Sequence, residues 1–188
     1  GIARVVQDLS GQPGVAYAEP DSLTHSTTMS DDALYAGPWG LAQIEAPTAW
    51  DVITGTADVI IADVGSGLDT SHPDLAGQLW VNAGEVPGNG LDDDGNGYVD
   101  DVHGWNVLDS NADLSDNTGH STMVAGIMVG APNSKEGVAG MCRGCLLMVV
   151  KVTPPDGRAR YSDIAAGLAY AVQNGARVIN ISMRGRAS

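Results

Sequence analysis

The sequence predicts a parallel, three-layer α/β/α domain, and three features predict it. Residues 58–64 form an apolar, β-branched run that breaks into a glycine-containing turn. Residues 120–131 are an uncharged apolar stretch of helix length. Residues 162–174 carry apolar side chains at 164, 168, 171 and 172, stop at Gly175 and lead into a strand-like run at 177–182. Strand, helix and strand in that rhythm make a βαβ unit, whose strands run parallel and whose crossover helices cover the sheet.

From the N-terminus, residues 1–20 hold a short helical pattern around Ile2, Val5 and Val6, a turn at Gly11-Gln12-Pro13-Gly14 and the run Val15-Ala16-Tyr17-Ala18-Glu19-Pro20. Residues 21–36 are polar and read as a linker; 37–188 form the main domain. Within it, 58–64 has the continuous apolar pattern of a strand buried on both faces, interrupted by Asp63. An unpaired carboxylate at that place is costly. The turn that follows is Gly65-Ser66-Gly67-Leu68-Asp69-Thr70-Ser71-His72-Pro73-Asp74-Leu75. Gly65-Ser66-Gly67 superficially suggests a phosphate loop, but the third glycine of that fingerprint is Thr70 and Pro73 interrupts any following helix.

Residues 120–131, with small side chains at 125, 126, 130 and 131, predict a helix apolar nearly all round, hence a core helix, and one too short to span a membrane. His120 stands at its first turn. A histidine there is more often a structural helix start than a base, so a chemical role needs further residues. Residues 146–152 read as another strand.

Between these lies Asp92-Asp93-Asp94-Gly95-Asn96-Gly97-Tyr98-Val99-Asp100, with side-chain oxygens of Asp92, Asp94, Asn96 and Asp100 at loop positions 1, 3, 5 and 9, glycine at 6 and the Tyr98 carbonyl at 7. That spacing suits a structural calcium ion, while His103 replaces the bidentate glutamate of position 12; the other reading is a solvated acidic turn. Cys142 and Cys145 form a C-x-x-C without a second pair, leaving thiols, paired or free, beside a strand as the reading, with zinc needing His25 or His103. A net charge of −14 with no basic cluster opposes binding to nucleic acid or anionic membrane. The 43% hydrophobic content of 188 residues supplies one main core and a small appendage.

Three ordered motifs resemble the subtilisin-like serine peptidases (peptidase family S8). Residues 58–75 are similar to their acid motif, strand-Asp-Ser/Thr-Gly-x-Asp-x-x-His-Pro-Asp-Leu; Gly119 to Gly126 to their base motif, Gly-His-Gly-Thr-His-Val-Ala-Gly; and Val178-Ile179-Asn180-Ile181-Ser182 to their substrate-binding strand. Trp39-Gly40-Leu41 with residues 44–50 looks like the start of the mature domain, and residues 13–20 like the end of an inhibitory propeptide. The resemblance implies a subtilisin-like fold, a secreted serine endopeptidase acting on peptides or proteins, His120 as the base, Ser182, Met183 and the position of Arg184 as the substrate edge, structural calcium, and the chain's own propeptide as a cleft ligand.

The departures bear on activity. Aligned on His72-Pro73-Asp74-Leu75 without a gap, Gly65 stands where the family has its catalytic aspartate, Ser121 replaces a glycine, Met123 replaces the second histidine, and Arg184 replaces a glycine of the substrate edge. No residue of the chain matches the nucleophile segment. In peptidases with this triad, subtilisin included, loss of the acid costs about 10⁴ in turnover and loss of the serine about 10⁶. The expectation is a chain that is catalytically incompetent as written, either the front part of a disabled endopeptidase or a noncatalytic calcium-binding module that binds peptides or a protease. Its sheet is expected to be truncated before the family's C-terminal strands, marginal in stability, and open to self-association through an unfinished edge.

Overall fold

The computed structural model describes residues 2–15, 39–132 and 137–183. After an N-terminal helix α1 (Ile2–Ser10), two short helices α2 (Trp39–Gln43) and α3 (Ala46–Trp50) lead to β1 (Ile60–Gly65). Then come β2 (Gly104–Asn106), α4 (His120–Val129), β3 (Leu146–Lys151), α5 (Tyr161–Gln173) and β4 (Val178–Asn180). The four strands form one sheet in the order β2-β3-β1-β4, with every pairing parallel. The expected fold class is therefore found. The N-terminal helix spans Ile2–Ser10, while the proline-containing run 16–20, the linker 21–36 and Arg184 lie outside the described residues.

β1 and β3 are continuous apolar runs because both of their faces are covered. Alternation then sorts their side chains. Ile61, Leu147 and Val149 pack with Leu68, Leu75, Leu79, Leu114, Ala125 and Val129 on the α4 side. Ala62, Val64, Met148, Val150 and Val152 pack with Trp80, Trp105, Tyr170 and Ala171 on the α5 side. Period two therefore puts Asp63 and Gly65 on the face that meets α4. On the other face α5 approaches β3 at Gly167, where a Cβ would stand 2.8 Å from Val152 Cγ1 and 3.0 Å from Val150 Cγ1.

α4 is only half a core helix. Ser121, Ala125, Gly126 and Val129 are buried against the sheet, but Met123 and Ile127 are 64% and 58% exposed. An all-round apolar pattern signals burial on every side; among the described residues only one side of α4 is covered. The same holds at β4, which pairs with β1 alone and leaves Val178 exposed.

A satellite cluster of Leu41, Ala46, Trp50 and Ala139 docks α2 and α3 beside the sheet. Trp50 Nε1 donates to the Met141 carbonyl at 2.9 Å, and the Arg143 guanidinium lies 3.9 Å over the indole. Cys142 and Cys145 are joined in a disulfide, which removes both thiolates from any zinc site. His103 turns its Nδ1 to the Trp80 carbonyl at 2.8 Å.

Tyr170 ties the long loop between β1 and β2 to the core. Its ring is fully buried with its edge or face against Tyr98, 4.8 Å between centroids, and its hydroxyl donates to Asp101 Oδ2 at 2.7 Å. Asp101 also accepts from Asn82 Nδ2 and Asn96 Nδ2. Burial pushes the Asp101 carboxyl up, and these donors pull it back. Tyr170→Phe removes a bond to a buried carboxylate and is expected to lower stability by about 1.5–3 kcal/mol, a drop of roughly 3–12 °C in Tm by circular dichroism; an unchanged Tm would show that the hydroxyl is not holding the loop.

Candidate active site

The cleft forms where the C-terminal end of β1 meets the N-terminus of α4. Gly119, in the left-handed region at φ 75°, is the N-cap of α4, so His120 is its first helical residue. Glycine has no side chain to cap the helix, and Asp116 supplies the acceptor. Its carboxylate accepts from the backbone N–H groups of Thr118, Gly119 and Thr122, each at 3.0 Å. It also accepts from the hydroxyls of Thr122 at 2.8 Å and Ser66 at 2.9 Å. Burial alone would raise the Asp116 carboxyl, but the bonds from Thr122, Thr118 and Ser66 outweigh it and hold it well below the usual carboxylate range.

Ser66 and Ser121 then stitch strand to helix by exchange: Ser66 N–H donates to Ser121 Oγ at 2.9 Å, and Ser121 N–H donates to Ser66 Oγ at 3.2 Å. His120 projects into an open cleft of about 710 Å³ shared with Asp63, Gly65, Arg158, Ser182 and Met183. Its ring is exposed and hydrogen-bonds to none of the described residues.

Asp63 is buried, yet it is not the unpaired carboxylate that its apolar surroundings suggest. Asn180 Nδ2 donates to its Oδ1 at 2.7 Å, and the Ser121 hydroxyl stands close by. Burial raises its pKa above 3.8, against the opposing pull of Asn180, Ser121 and the nearby imidazole. The pairing of β1 with β3 runs without a bulge from Ile60 to Gly65, so no shift of register carries Asp63 forward to bond His120.

Of the residues expected at the substrate edge, Ser182 accepts from Asn180 Nδ2 at 3.0 Å and, with Met183, lines the cleft. The acidic loop converges differently from its spacing. Carboxylate oxygens of Asp92 and Asp94 gather with Glu85, all within 4.8 Å of one another. Asn96 Oδ1 accepts from Tyr98 N–H at 2.8 Å, while its amide nitrogen faces Asp94 and Asp101. Asp100 turns its carboxylate to the N–H groups of Asn89 and Gly90. Glu85, seven residues before Asp92, lies outside the loop spacing that points to the others. Buried Glu85 accepts N–H bonds from Asp93, Asp94 and Asp100, which explains how it folds under the loop.

With this geometry in view, residues 56–186 match the Subtilase family, Peptidase_S8. The chain belongs to the subtilase family. It is similar to the thermophilic serine proteinase of Bacillus sp. (strain AK1), 31% identical over 183 residues, covering 97% of this chain and 40% of that protein. It is similar also to thermitase of Thermoactinomyces vulgaris, 30% identical with 84% and 48% covered. Subtilisin E of Bacillus subtilis (strain 168) is 32% identical with 97% and 40% covered. The chain thus spans less than half the length of these subtilases.

Asp63 gives a pH test. Because its folded pKa is raised, the folded state holds a proton that the unfolded chain has already released, so stability falls as pH rises from about 3.8 through the folded value. Asp63→Asn removes that loss. Its Tm relative to the parent is expected to climb with pH across this window and to level off above it; a difference independent of pH between 3 and 8 would show that Asp63 is not the titrating group.

Proposed function

We propose that this chain supplies the front part of a secreted subtilase catalytic domain that holds peptide in the cleft beside His120 but does not hydrolyse it at a useful rate. The observation that carries the reading is the pairing of an exposed imidazole at the start of α4 with Gly65 at the end of β1, where the family acid belongs. A histidine base needs a carboxylate to fix its tautomer and to stabilise the imidazolium it becomes on taking the nucleophile's proton. His120 has no such hydrogen bond among the described residues, and Asp63 is engaged by Asn180. A nucleophile contributed by any further segment would meet a base without its orienting acid. Ser182, Met183 and Arg184 form the substrate edge in this reading, and residues 1–20, as the end of the chain's own propeptide, are a ligand of the same cleft.

Hydrolysis of a chromogenic peptide by the purified chain is expected to stay at the buffer rate and to be indifferent to a serine-directed fluorophosphonate. Turnover proportional to protein, blocked by that reagent and lost in His120→Ala, would sink the reading.

Calcium binding is the second part of the proposal. The acidic triplet fits a hard dication: three carboxylates converge, and buried Glu85 already orders the loop backbone through its accepted N–H bonds. Glu85, Asp92 and Asp94 would hold the ion, with Asn96, the Tyr98 carbonyl and Asp100 as the further oxygens that the loop spacing suggests. What a bound ion supplies is neutralisation of the loop's charge. Calcium at 100 times its Kd is expected to add about 2.7 kcal/mol, or roughly 5–11 °C in Tm. Chelation should reverse the gain and Glu85→Gln should abolish most of it; no calcium heat in titration calorimetry would remove this part and, with it, the noncatalytic calcium-binding module as the second reading. Pairing of another strand along the open β4 edge is the route we propose for self-association.

A further inference from the structure

The place of the missing acid is occupied. Residues 61, 63 and 65 of β1 face α4, and the strand end lies against Ser121, which is 2% exposed. A Cβ built on Gly65 collides with the Ser121 hydroxyl oxygen, contacts Ser121 Cβ at 3.4 Å and comes within 3.1 Å of Asp63 Oδ2. The hydroxyl has little freedom to retreat, since it accepts from Ser66 N–H at 2.9 Å and shares the space at Gly65 with Asp63 Oδ2. Asn180 Nδ2 fixes that carboxylate from the other side at 2.7 Å. The space just beyond the Gly65 Cα is thus filled by one oxygen of Ser121, and the carboxyl group that an aspartate would bring is already present on Asp63.

We propose that Ser121 and Asp63 are a blocking pair that has taken over the acid's place, making Gly65 and Ser121 mutually dependent in size, so that no single substitution at position 65 restores a carboxylate partner to His120. The inference rests on the reading of position 65 as the acid position. It accounts for two departures from the family motifs with one cause: the side chain lost at 65 and the side chain gained at 121 occupy the same volume. Asp63 adds an electrostatic barrier, because a second carboxylate beside it would be a close like-charge pair in a poorly solvated site. The charged groups around that point are Asp63 on β1, Asp116 before α4, His120 on α4, and Arg158 on the loop after β3 that lines the same cleft.

The test compares Gly65→Asp, Ser121→Gly and the double variant in the full 188-residue chain. Thermal melts are read together with the His120 imidazole titration by NMR. Gly65→Asp alone is expected to lower Tm by about 4–10 °C through overpacking, and adding Ser121→Gly to recover at least half of the loss. In the double variant the His120 pKa is expected to stand about one unit or more above that of Ser121→Gly, as a carboxylate beside an imidazole dictates. Gly65→Ala, with and without Ser121→Gly, measures the same steric coupling with a methyl group if the charged variant does not fold. The proposal is overturned if Gly65→Asp or Gly65→Ala melts like the parent, or if Ser121→Gly returns none of the lost stability. Recovery of Tm with an unmoved His120 titration would instead overturn the assignment of position 65 to the acid while leaving the size coupling in place.

Discussion

The exchange of hydrogen bonds between Ser66 and Ser121 is the constraint on which the cleft depends. It joins the end of the central strand to the first turn of the helix that carries His120. Asp116 completes the joint by satisfying the N–H groups at the head of α4 and gripping the Ser66 hydroxyl. A carboxylate at a helix N-terminus gains from the dipole as well as from its hydrogen bonds. The imidazole therefore stands on a rigid base, although its ring has no partner among the described residues.

The remainder of the chain is arranged to make that joint possible. β1 lies between β3 and β4: β4 holds it as far as Asp63, and β3 continues the pairing to its end at Gly65. β3 extends the support beyond the sheet: Lys151 is buried and its Nζ donates to the Ser115 carbonyl at 2.7 Å, holding the segment that delivers Asp116. The long acidic loop is attached from the opposite side through Asp101, which reaches Tyr170 on α5 and Asn82 and Asn96 in the loop. The result is a strongly acidic molecule whose carboxylates mostly organise backbone turns: Asp100 caps the turn at residues 89–90, Asp93 accepts from Val86 N–H, and Asp69 accepts from Ser71. Such bonds offset part of the repulsion that a net charge of −14 imposes.

How much of this was legible in the sequence follows from which interactions are local. The βαβ rhythm, the strand at β1, the helix starting at His120 and the second helix were readable because periodicity and punctuation are properties of contiguous residues. The boundaries moved by only one or two residues: α5 runs Tyr161–Gln173 against an expected 162–174. Partners across the sheet were not readable. Asp63 looked stranded in an apolar run because its donor Asn180 lies 117 residues away and meets it only through the β1–β4 register. Glu85 was missed for a related reason, since it joins Asp92 and Asp94 from outside the loop whose spacing points to the others. Ser121 was read as a departure from a motif; that its hydroxyl fills the space in front of Gly65 is a fact of packing.

With position 65 read as the acid position, as proposed above, the location of the buried carboxyl separates two uses of the same group. A fold that keeps a carboxylate beneath a histidine pays desolvation for it, and replacing the acid with glycine would relieve that cost if nothing else altered. Here the relief is absent, because Asp63 places a carboxylate two residues upstream on the same face of the same strand. What differs is the partner. The Asp63 carboxyl accepts from an amide on β4 and so holds two strands together, whereas a carboxylate bonded to the imidazole would serve proton transfer. The Asp63 carboxyl thus ties β1 to β4, while His120 keeps an open ring on the cleft.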